Sequence, residues 1–234
     1  MGKLYQHGTL ATLVPGLFAG TQTLSELLTH GDTGIGTLTG LNGELIILDG
    51  VVYQMTAAGQ VLQPEATAQV PFANVHYADF TPAGTVTNLS DAQLRLALQG
   101  KLPSVNLFTA VTLTGTFAAV TTRAVREQQP PYPTLTATAA DQAVFTREQV
   151  TGTVIGYWSP TLYAGMAAPG FHLHFLNAAH DFGGHILALT VASAALALQP
   201  FADIQLHLPS TDPAFLHEAF DESKIVADIV KAES

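Results

Sequence analysis

The alternation of apolar and polar positions predicts that strands dominate this chain. Between residues 34 and 53, the dipeptides Asn42-Gly43 and Asp49-Gly50 separate apolar runs, and such dipeptides are typical of tight hairpin turns. We therefore predict a three-stranded meander here, followed by a hairpin around Ala58-Gly59. Segments rich in Val, Thr and aromatic residues predict further strands, and these lie at residues 105–122, 150–158, 170–176 and 204–208.

Helix signals are fewer. Thr23 and Glu26 form a capping-box pattern at the start of a helix that Gly31 ends, and Ser90 caps a second helix over residues 91–99. A short helix begins at Pro213, and residues 223–232 are amphipathic with helical spacing. Residues 186–198 fit a buried strand followed by a helix, but the periodicity of their apolar positions does not distinguish strand from helix.

The break richest in proline covers residues 128–133, and a polar run follows it to residue 141. The pattern predicts a long surface loop, with a seam between two β-sheet subdomains near 128–141 as the second interpretation. We expect a single unit over residues 1–234, because this length fits one large domain.

Composition excludes several classes of protein. Lys and Arg total 8 against 18 Asp and Glu, and a net charge of −10 argues against a nucleic-acid partner. The absence of cysteine excludes disulfides and sulfur-ligated metals. The longest apolar stretch, 186–198, is shorter than the ~20 residues that span a bilayer, and the N-terminus lacks the pattern of a signal peptide. We therefore expect no membrane partner and a cytoplasmic location.

Four of the nine histidines lie between residues 172 and 185. His172 and His174 alternate with apolar residues, so in a strand both imidazoles point to the same face. Two glycines before His185 allow a tight turn that brings a third imidazole toward the first two. Three imidazoles with an open fourth position are typical of catalytic zinc, although imidazole also suits iron, copper and nickel.

Two alternatives to this interpretation stay open. Cupins are metal-dependent enzymes that also carry His-x-His on strands, but their motif has a glutamate about four residues later, where this chain has Ala178 and Ala179. In the other alternative, the histidines are structural and the chain is a binding module without enzymatic activity. The third histidine, the glycine pair and the absence of cysteine favour a metal site.

Charged residues make up only 11% of the chain, against about 25% in an ordinary globular protein. Glu44 is placed at the Asn42-Gly43 turn, and Arg123 ends a segment that carries no charge from residue 105 onward. An unpaired buried ion is costly, so such residues often have a role. Each of these residues also has an ordinary structural explanation. Glu44 fits a turn residue, Arg123 fits a strand end, and Glu233 fits a frayed tail residue.

Four segments of the chain carry a combined pattern: GTLTGLNGELIILDG at 36–50, TRAV at 122–125 leading into PYP at 131–133, GFHLHF at 170–175, and FGGH at 182–185. Together they resemble the alpha-acetolactate decarboxylase family. Each segment alone is weak, but their order and spacing over nearly the whole chain are specific. The resemblance implies an α+β subunit with two packed mixed or antiparallel β-sheets and flanking helices, usually dimeric.

The resemblance also implies a reaction, the conversion of 2-acetolactate to acetoin and carbon dioxide with a bound zinc ion. The implied zinc ligands are His172, His174 and His185. Glu44 and Arg123 match the family's essential glutamate and arginine, and Thr37 matches a position that lines the substrate pocket. A further glutamate comes from the C-terminal tail, where Glu233 is the best match and Glu222 a weaker one.

The chemistry of a β-keto acid agrees with this residue set. Loss of carbon dioxide leaves a carbanion that needs an electron sink, and the four lysines lie in polar or terminal contexts that do not favour a Schiff base. A Lewis-acid metal can take that role. Arg123 can hold the carboxylate through two hydrogen bonds. Either Glu44 or Glu233 can deliver the proton, and the sequence leaves that choice open.

Overall fold

The computed structural model describes residues 2–221 and 223–233. Within these residues the chain forms thirteen strands and six α-helices. In chain order they are β1 (Gly2–His7), α1 (Leu10–Leu13), β2 (Gln22–Thr23), α2 (Leu24–Leu27), β3 (Thr33–Leu38), β4 (Asn42–Leu48), β5 (Val51–Met55), β6 (Val61–Leu62), β7 (Gln69–Val70), β8 (Phe72–His76), β9 (Thr81–Ser90), α3 (Asp91–Gln99), β10 (Thr109–Val125), α4 (Leu135–Ala139), β11 (Gln142–Ser159), β12 (Gly170–Asn177), β13 (Gly183–His207), α5 (Pro213–His217) and α6 (Ile225–Glu233).

Four long strands close into a ring. β10 pairs with β11, β11 with β12, β12 with β13, and β13 returns to β10, and all four pairings are antiparallel. Closure satisfies the backbone groups that an open edge would expose. Apolar side chains from these strands, β9 and α3 form a buried cluster that includes Leu94 and Leu98 of α3.

The expected arrangement of two packed sheets is wrong. The predictions that strands dominate and that helices are few are confirmed. Eleven of the described strands belong to one hydrogen-bonded sheet, and β2 and β7 form a separate pair. The connection is β13, whose last residues, 201–207, pair in parallel with β1 and so join the ring to β8, β3, β4, β5 and β6. The sequence pattern predicted two separate segments, at residues 186–198 and 204–208, but β13 runs continuously from Gly183 to His207 and contains nearly all of both.

The predicted meander is confirmed as β3, β4 and β5, and β6 completes the predicted hairpin around Ala58-Gly59. The first turn lies earlier than predicted, because residues 39–41 form a 3-10 turn with positive φ at Gly40 and Leu41. Glu44 is therefore a strand residue, paired with Met55, and its interpretation as a hairpin-turn residue is wrong.

Four predicted helices are confirmed, but the helix suggested for the second part of residues 186–198 is absent. The capping boxes at Thr23 and Ser90 are both formed, and α3 has the predicted bounds. Residues 186–198 are strand throughout. After the Pro-rich stretch, the polar run contains the short helix α4. Among the described residues, no helix has the length and apolarity needed to cross a bilayer.

We predict that a side chain at Gly115 destabilises the ring. This residue pairs with Gly152 on one side and Ala194 on the other, and a Cβ there would lie 2.2 Å from the Ser193 carbonyl oxygen. Gly115→Val should lower the free energy of unfolding by about 1–3 kcal/mol, which lowers Tm by about 2–10 °C in a domain of this size.

The control is Gly100→Ala at the end of α3, where φ is −67° and the nearest atom to an added Cβ is 3.5 Å away. Its Tm should stay within about 2 °C of the wild type. Equal melting temperatures for Gly115→Val and the wild type, measured by circular dichroism, would show that the close contact does not limit the ring.

Candidate metal centre

The three histidines lie together because of strand register. β12 and β13 pair so that His174 lies opposite His185, and His172 is two residues earlier on the same face of β12. Gly184 on β13 has φ +119°, and a Cβ at this position would lie 2.5 Å from the Arg123 carbonyl oxygen, so this strand position requires glycine. The ligand nitrogens of the three imidazoles all lie within 4.8 Å of one another.

The donor set fits a tetrahedral ion such as zinc. Two nitrogen ligands bound at about 2.0–2.1 Å lie about 3.3 Å apart, and the Nε2 atoms of His172 and His174 are 3.3 Å apart. His174 Nδ1 lies 2.8 Å from the carbonyl oxygen of Leu45, an arrangement that leaves Nε2 for a metal. His185 Nδ1 is buried and has no hydrogen-bond partner among the described residues.

Burial also sets the protonation state of these histidines. It lowers the pKa of His174 and His185 well below the ordinary range, and it lowers the pKa of His172 as well. The nearby charge of Arg123 acts in the same direction at all three. The imidazoles are therefore neutral near pH 7, which is the state that binds a metal ion.

Two carboxylates face the histidines from different elements. Glu44 on β4 places Oε2 3.6 Å from His174 Nε2, while Glu233 on α6 places Oε2 3.6 Å from His172 Nε2 and 3.7 Å from His185 Nδ1. Burial raises the pKa of Glu44 to about 7, against the opposing effect of the Arg123 charge, and Glu233 raises it further. The Glu44 carboxyl can therefore carry a proton near neutral pH.

Helix α6 brings Glu233 to the histidines. Ile229 and Ala232 on one face of the helix are buried in a cluster that also contains Leu10 and Leu13 of α1 and Leu135 of α4. This packing fixes the last turn of the helix against α1 and α4, so the interpretation of Glu233 as a frayed tail residue is wrong. The weaker tail candidate, Glu222, lies outside the described residues.

Arg123 lies beside the histidines, because β10 pairs with β13 so that Arg123 is opposite His185. Its side chain is buried; Nη2 donates to Glu233 Oε2 at 3.1 Å and Nη1 donates to Gln142 Oε1 at 3.1 Å. Nε is buried without a hydrogen-bond partner in residues 2–221 and 223–233. A buried unpaired donor is costly, and a bound carboxylate would satisfy it.

A small pocket of about 50 Å³ adjoins this group. Glu44, Arg123, His172, His174 and Glu233 line it, and so does Thr37, whose hydroxyl donates to the Gly43 carbonyl oxygen at 2.8 Å. The remaining lining is mostly apolar and consists of Leu10, Leu13, Ile35, Leu41, Phe72, Val125 and Leu135, with Gly36. The structure thus brings together all the predicted site residues at one pocket or directly beside it.

Sequence reasoning missed two parts of this site. The apolar wall comes from helices and strands far apart along the chain, and no local pattern marks Leu10 or Leu135 as pocket residues. Gln142 was also missed, because its contact with Arg123 depends on the pairing of β10 with β11.

The family model and the most similar relatives agree on one family. The family model for alpha-acetolactate decarboxylase matches residues 4–222. An alpha-acetolactate decarboxylase of Brevibacillus brevis is 38% identical over 210 residues, which cover 89% of this chain and 74% of that protein. One from Lactococcus lactis subsp. cremoris is 32% identical, over 99% of this chain and 98% of the relative.

Solved structures agree with the sequence comparison. The crystal structure of a Staphylococcus aureus protein of unknown function, described as similar to alpha-acetolactate decarboxylase, has a TM-score of 0.96 at 35% identity, covering 99% of this chain and 100% of that chain. The alpha-acetolactate decarboxylase of Bacillus subtilis strain 168 has a TM-score of 0.93 at 30% identity, covering 99% of each chain. The chain therefore belongs to the alpha-acetolactate decarboxylase family.

Proposed function

We propose that this chain converts 2-acetolactate to acetoin and carbon dioxide with a zinc ion held by His172, His174 and His185. The observation that carries the proposal is the arrangement of three neutral imidazoles beside a buried arginine and a protonatable glutamate at one pocket. Membership of the family indicates that 2-acetolactate is the substrate, and the three histidine nitrogens are the reason that we propose a bound metal.

The proposed reaction needs an electron sink, because decarboxylation of a β-keto acid leaves a carbanion. No lysine lines this pocket among the described residues, so its residues offer no amine for a Schiff base. Zinc bound by the three histidines would supply a Lewis acid for the oxygens of the substrate. The protein's own contribution is the position and charge of the residues around the substrate.

Arg123 is the residue that we assign to the substrate carboxylate. Its free Nε and its neighbouring Nη2 form the fork that recognises a carboxylate through two parallel hydrogen bonds. Gln142 fixes the other side of the guanidinium through Nη1. After carbon dioxide leaves, the same positive charge faces the enediolate oxygens and stabilises them.

Glu44 is the residue that we assign to proton delivery. It is buried, it contacts His174, and its raised pKa lets it keep a proton near pH 7. A single carboxylic acid fixed on β4 delivers that proton to one face of the enediolate, which gives a chiral product. Glu233 has another role in this scheme, since it pairs with Arg123 and contacts His172 and His185.

Thr37 and the apolar wall complete the proposed substrate pocket. The Thr37 hydroxyl is held by the Gly43 carbonyl oxygen at the pocket edge, and the apolar side chains can receive the methyl groups of acetolactate. We further propose that residues 1–234 act as one unit, as a cytoplasmic homodimer. The continuous strand β13 supports the single unit, and the family resemblance supports the dimer.

Removal of the metal should abolish the reaction. Dialysis against a chelator should stop acetoin formation, and one equivalent of zinc per chain should restore it, because the residues offer no other electron sink. His185→Asn should bind less than half an equivalent of zinc, while the control His180→Asn, an exposed histidine outside the cluster, should bind a full equivalent. Full turnover by metal-free protein would contradict the mechanism.

Loss of the guanidinium should separate catalysis from metal binding. We expect Arg123→Ala to retain zinc and to lower kcat/KM by about 10²–10³-fold, the usual effect of removing a donor that stabilises transition-state charge. Arg126→Ala, three residues later and exposed, is the matched control and should stay within about twofold of the wild type. Unchanged kinetics in Arg123→Ala would remove this residue from the reaction.

Glu44 should also make the stability of the metal-free protein depend on pH. Its pKa of about 7 when folded exceeds its ordinary value of 4.5. The stabilising contribution of its bound proton is therefore complete below pH 4.5 and is lost as the pH rises through about 7. Glu44→Gln should raise the free energy of unfolding at pH 8 by up to about 3 kcal/mol, measured as a higher Tm, and the gain should disappear by about pH 4. The same gain at both pH values would show that Glu44 does not titrate in this range.

A further inference from the structure

A second and larger cavity lies on the other side of Glu233. Its volume is about 380 Å³, against about 50 Å³ for the pocket described above. His172, His185 and Glu233 line it at the metal centre, while Leu96 and Val230, which are 71% and 51% exposed, line it at the protein surface. The larger cavity therefore leads from solvent to the histidines, and we call it the outer cavity.

The outer cavity and the small pocket share His172 and Glu233. Apart from these two, the residues that line the small pocket are buried, whereas Leu96, Gln99 and Val230 of the outer cavity are exposed. A substrate that reaches Arg123 from solvent would pass through the outer cavity first. What lines the outer cavity then determines which molecules approach the metal centre.

Arg95 of α3 is the only Lys or Arg that lines the outer cavity in the part of the chain described. Its Nε donates to Asp91 Oδ2 at 2.8 Å, and its Nη1 donates to the carbonyl oxygen of Phe171 at 3.3 Å. Phe171 is the residue directly before His172 in the chain. No hydrogen bond from Nη2 is found within residues 2–221 and 223–233. The guanidinium is thus fixed on two sides and about one-third exposed, with a donor left for a ligand.

Because the chain has a net negative charge, the positive charge of Arg95 is important for binding an anionic substrate. The substrate of the proposed function is a carboxylate, and a chain with net charge −10 repels it. A cation in the cavity raises the local concentration of anions and attracts them toward the metal centre. Asp91 offsets part of the Arg95 charge at longer range, so the effect acts mainly through close contact within the cavity.

We propose, on the basis of the proposed function, that the outer cavity is the entry site for the anionic substrate and that Arg95 binds its carboxylate before Arg123 does. Arg95 is a steering residue in this scheme and takes no part in the chemical step. Its contribution appears in KM and in the association of carboxylates, and kcat is unaffected.

The test compares Arg95→Gln, Arg95→Lys and the wild-type zinc enzyme at low and high ionic strength. Arg95→Gln should raise KM for acetolactate about 3- to 10-fold at low salt, the range for a partly exposed charged hydrogen bond, with kcat within twofold. High salt should shrink this difference, because ions screen the interaction. Arg95→Lys keeps the charge and should stay within threefold of the wild-type KM.

The control is Arg126→Gln, which removes an equal charge from another exposed Arg–Asp pair that lines neither cavity. Its KM should match the wild type. Equal KM values for Arg95→Gln and the wild type, or a KM for Arg95→Lys as high as that for Arg95→Gln, would overturn the assignment. Circular dichroism melting of each variant shows whether a change in KM reflects lost folding.

Calorimetric titration with 2-hydroxy-2-methylpropanoate separates this inference from the proposed function. This carboxylate has no β-keto group, so it binds without reacting. Arg95→Gln should weaken its binding at low salt by the same 3- to 10-fold, and unchanged binding would overturn the inference even in an inactive protein. Absence of wild-type turnover with zinc bound would instead contradict the proposed function.

Discussion

One interaction determines the rest of the site, the hydrogen-bonded register of β13 within the closed ring. On one side β13 places His185 opposite His174, and on the other it places the same His185 opposite Arg123. A shift of one residue would turn these side chains to the other face of the sheet. The ring fixes the register, because each of its four strands is hydrogen-bonded to the next around a closed circuit. The cluster of three histidines and the position of Arg123 beside it are therefore consequences of the register of this one strand.

Burial gives these residues their chemistry. The cost of charge in a dry environment keeps the histidines neutral and keeps a proton on Glu44 near pH 7. The same environment strengthens the attraction between Arg123 and any carboxylate that enters. α6 contributes to this burial, since Ile229 and Ala232 pack its last turn against α1 and α4. A chain with few charges has placed several of them around one small pocket.

The parts of the fold and of the site that the sequence predicts correctly are those that depend on neighbouring residues. Helix caps such as Ser90, the His172–His174 alternation and the glycines before His185 depend on neighbouring residues, so their consequences are visible in the sequence alone. The ring closes through contacts between residues about 60 to 90 positions apart, and the parallel pairing of β1 with β13 joins residues about 200 positions apart. No local pattern encodes either of them. The contact of Gln142 with Arg123 depends on the pairing of β10 with β11, and the place of Arg95 in the outer cavity depends on the packing of α3 against the ring.

The central claim is that the strand register assembles a metal centre of three imidazoles. X-ray absorption spectroscopy at the zinc edge of reconstituted protein tests it most directly. We expect one zinc per chain with three imidazole nitrogens at about 2.0–2.1 Å, and a loss of imidazole scattering in His174→Asn. A zinc shell of oxygen ligands alone, or an unchanged spectrum in that variant, would contradict the claim.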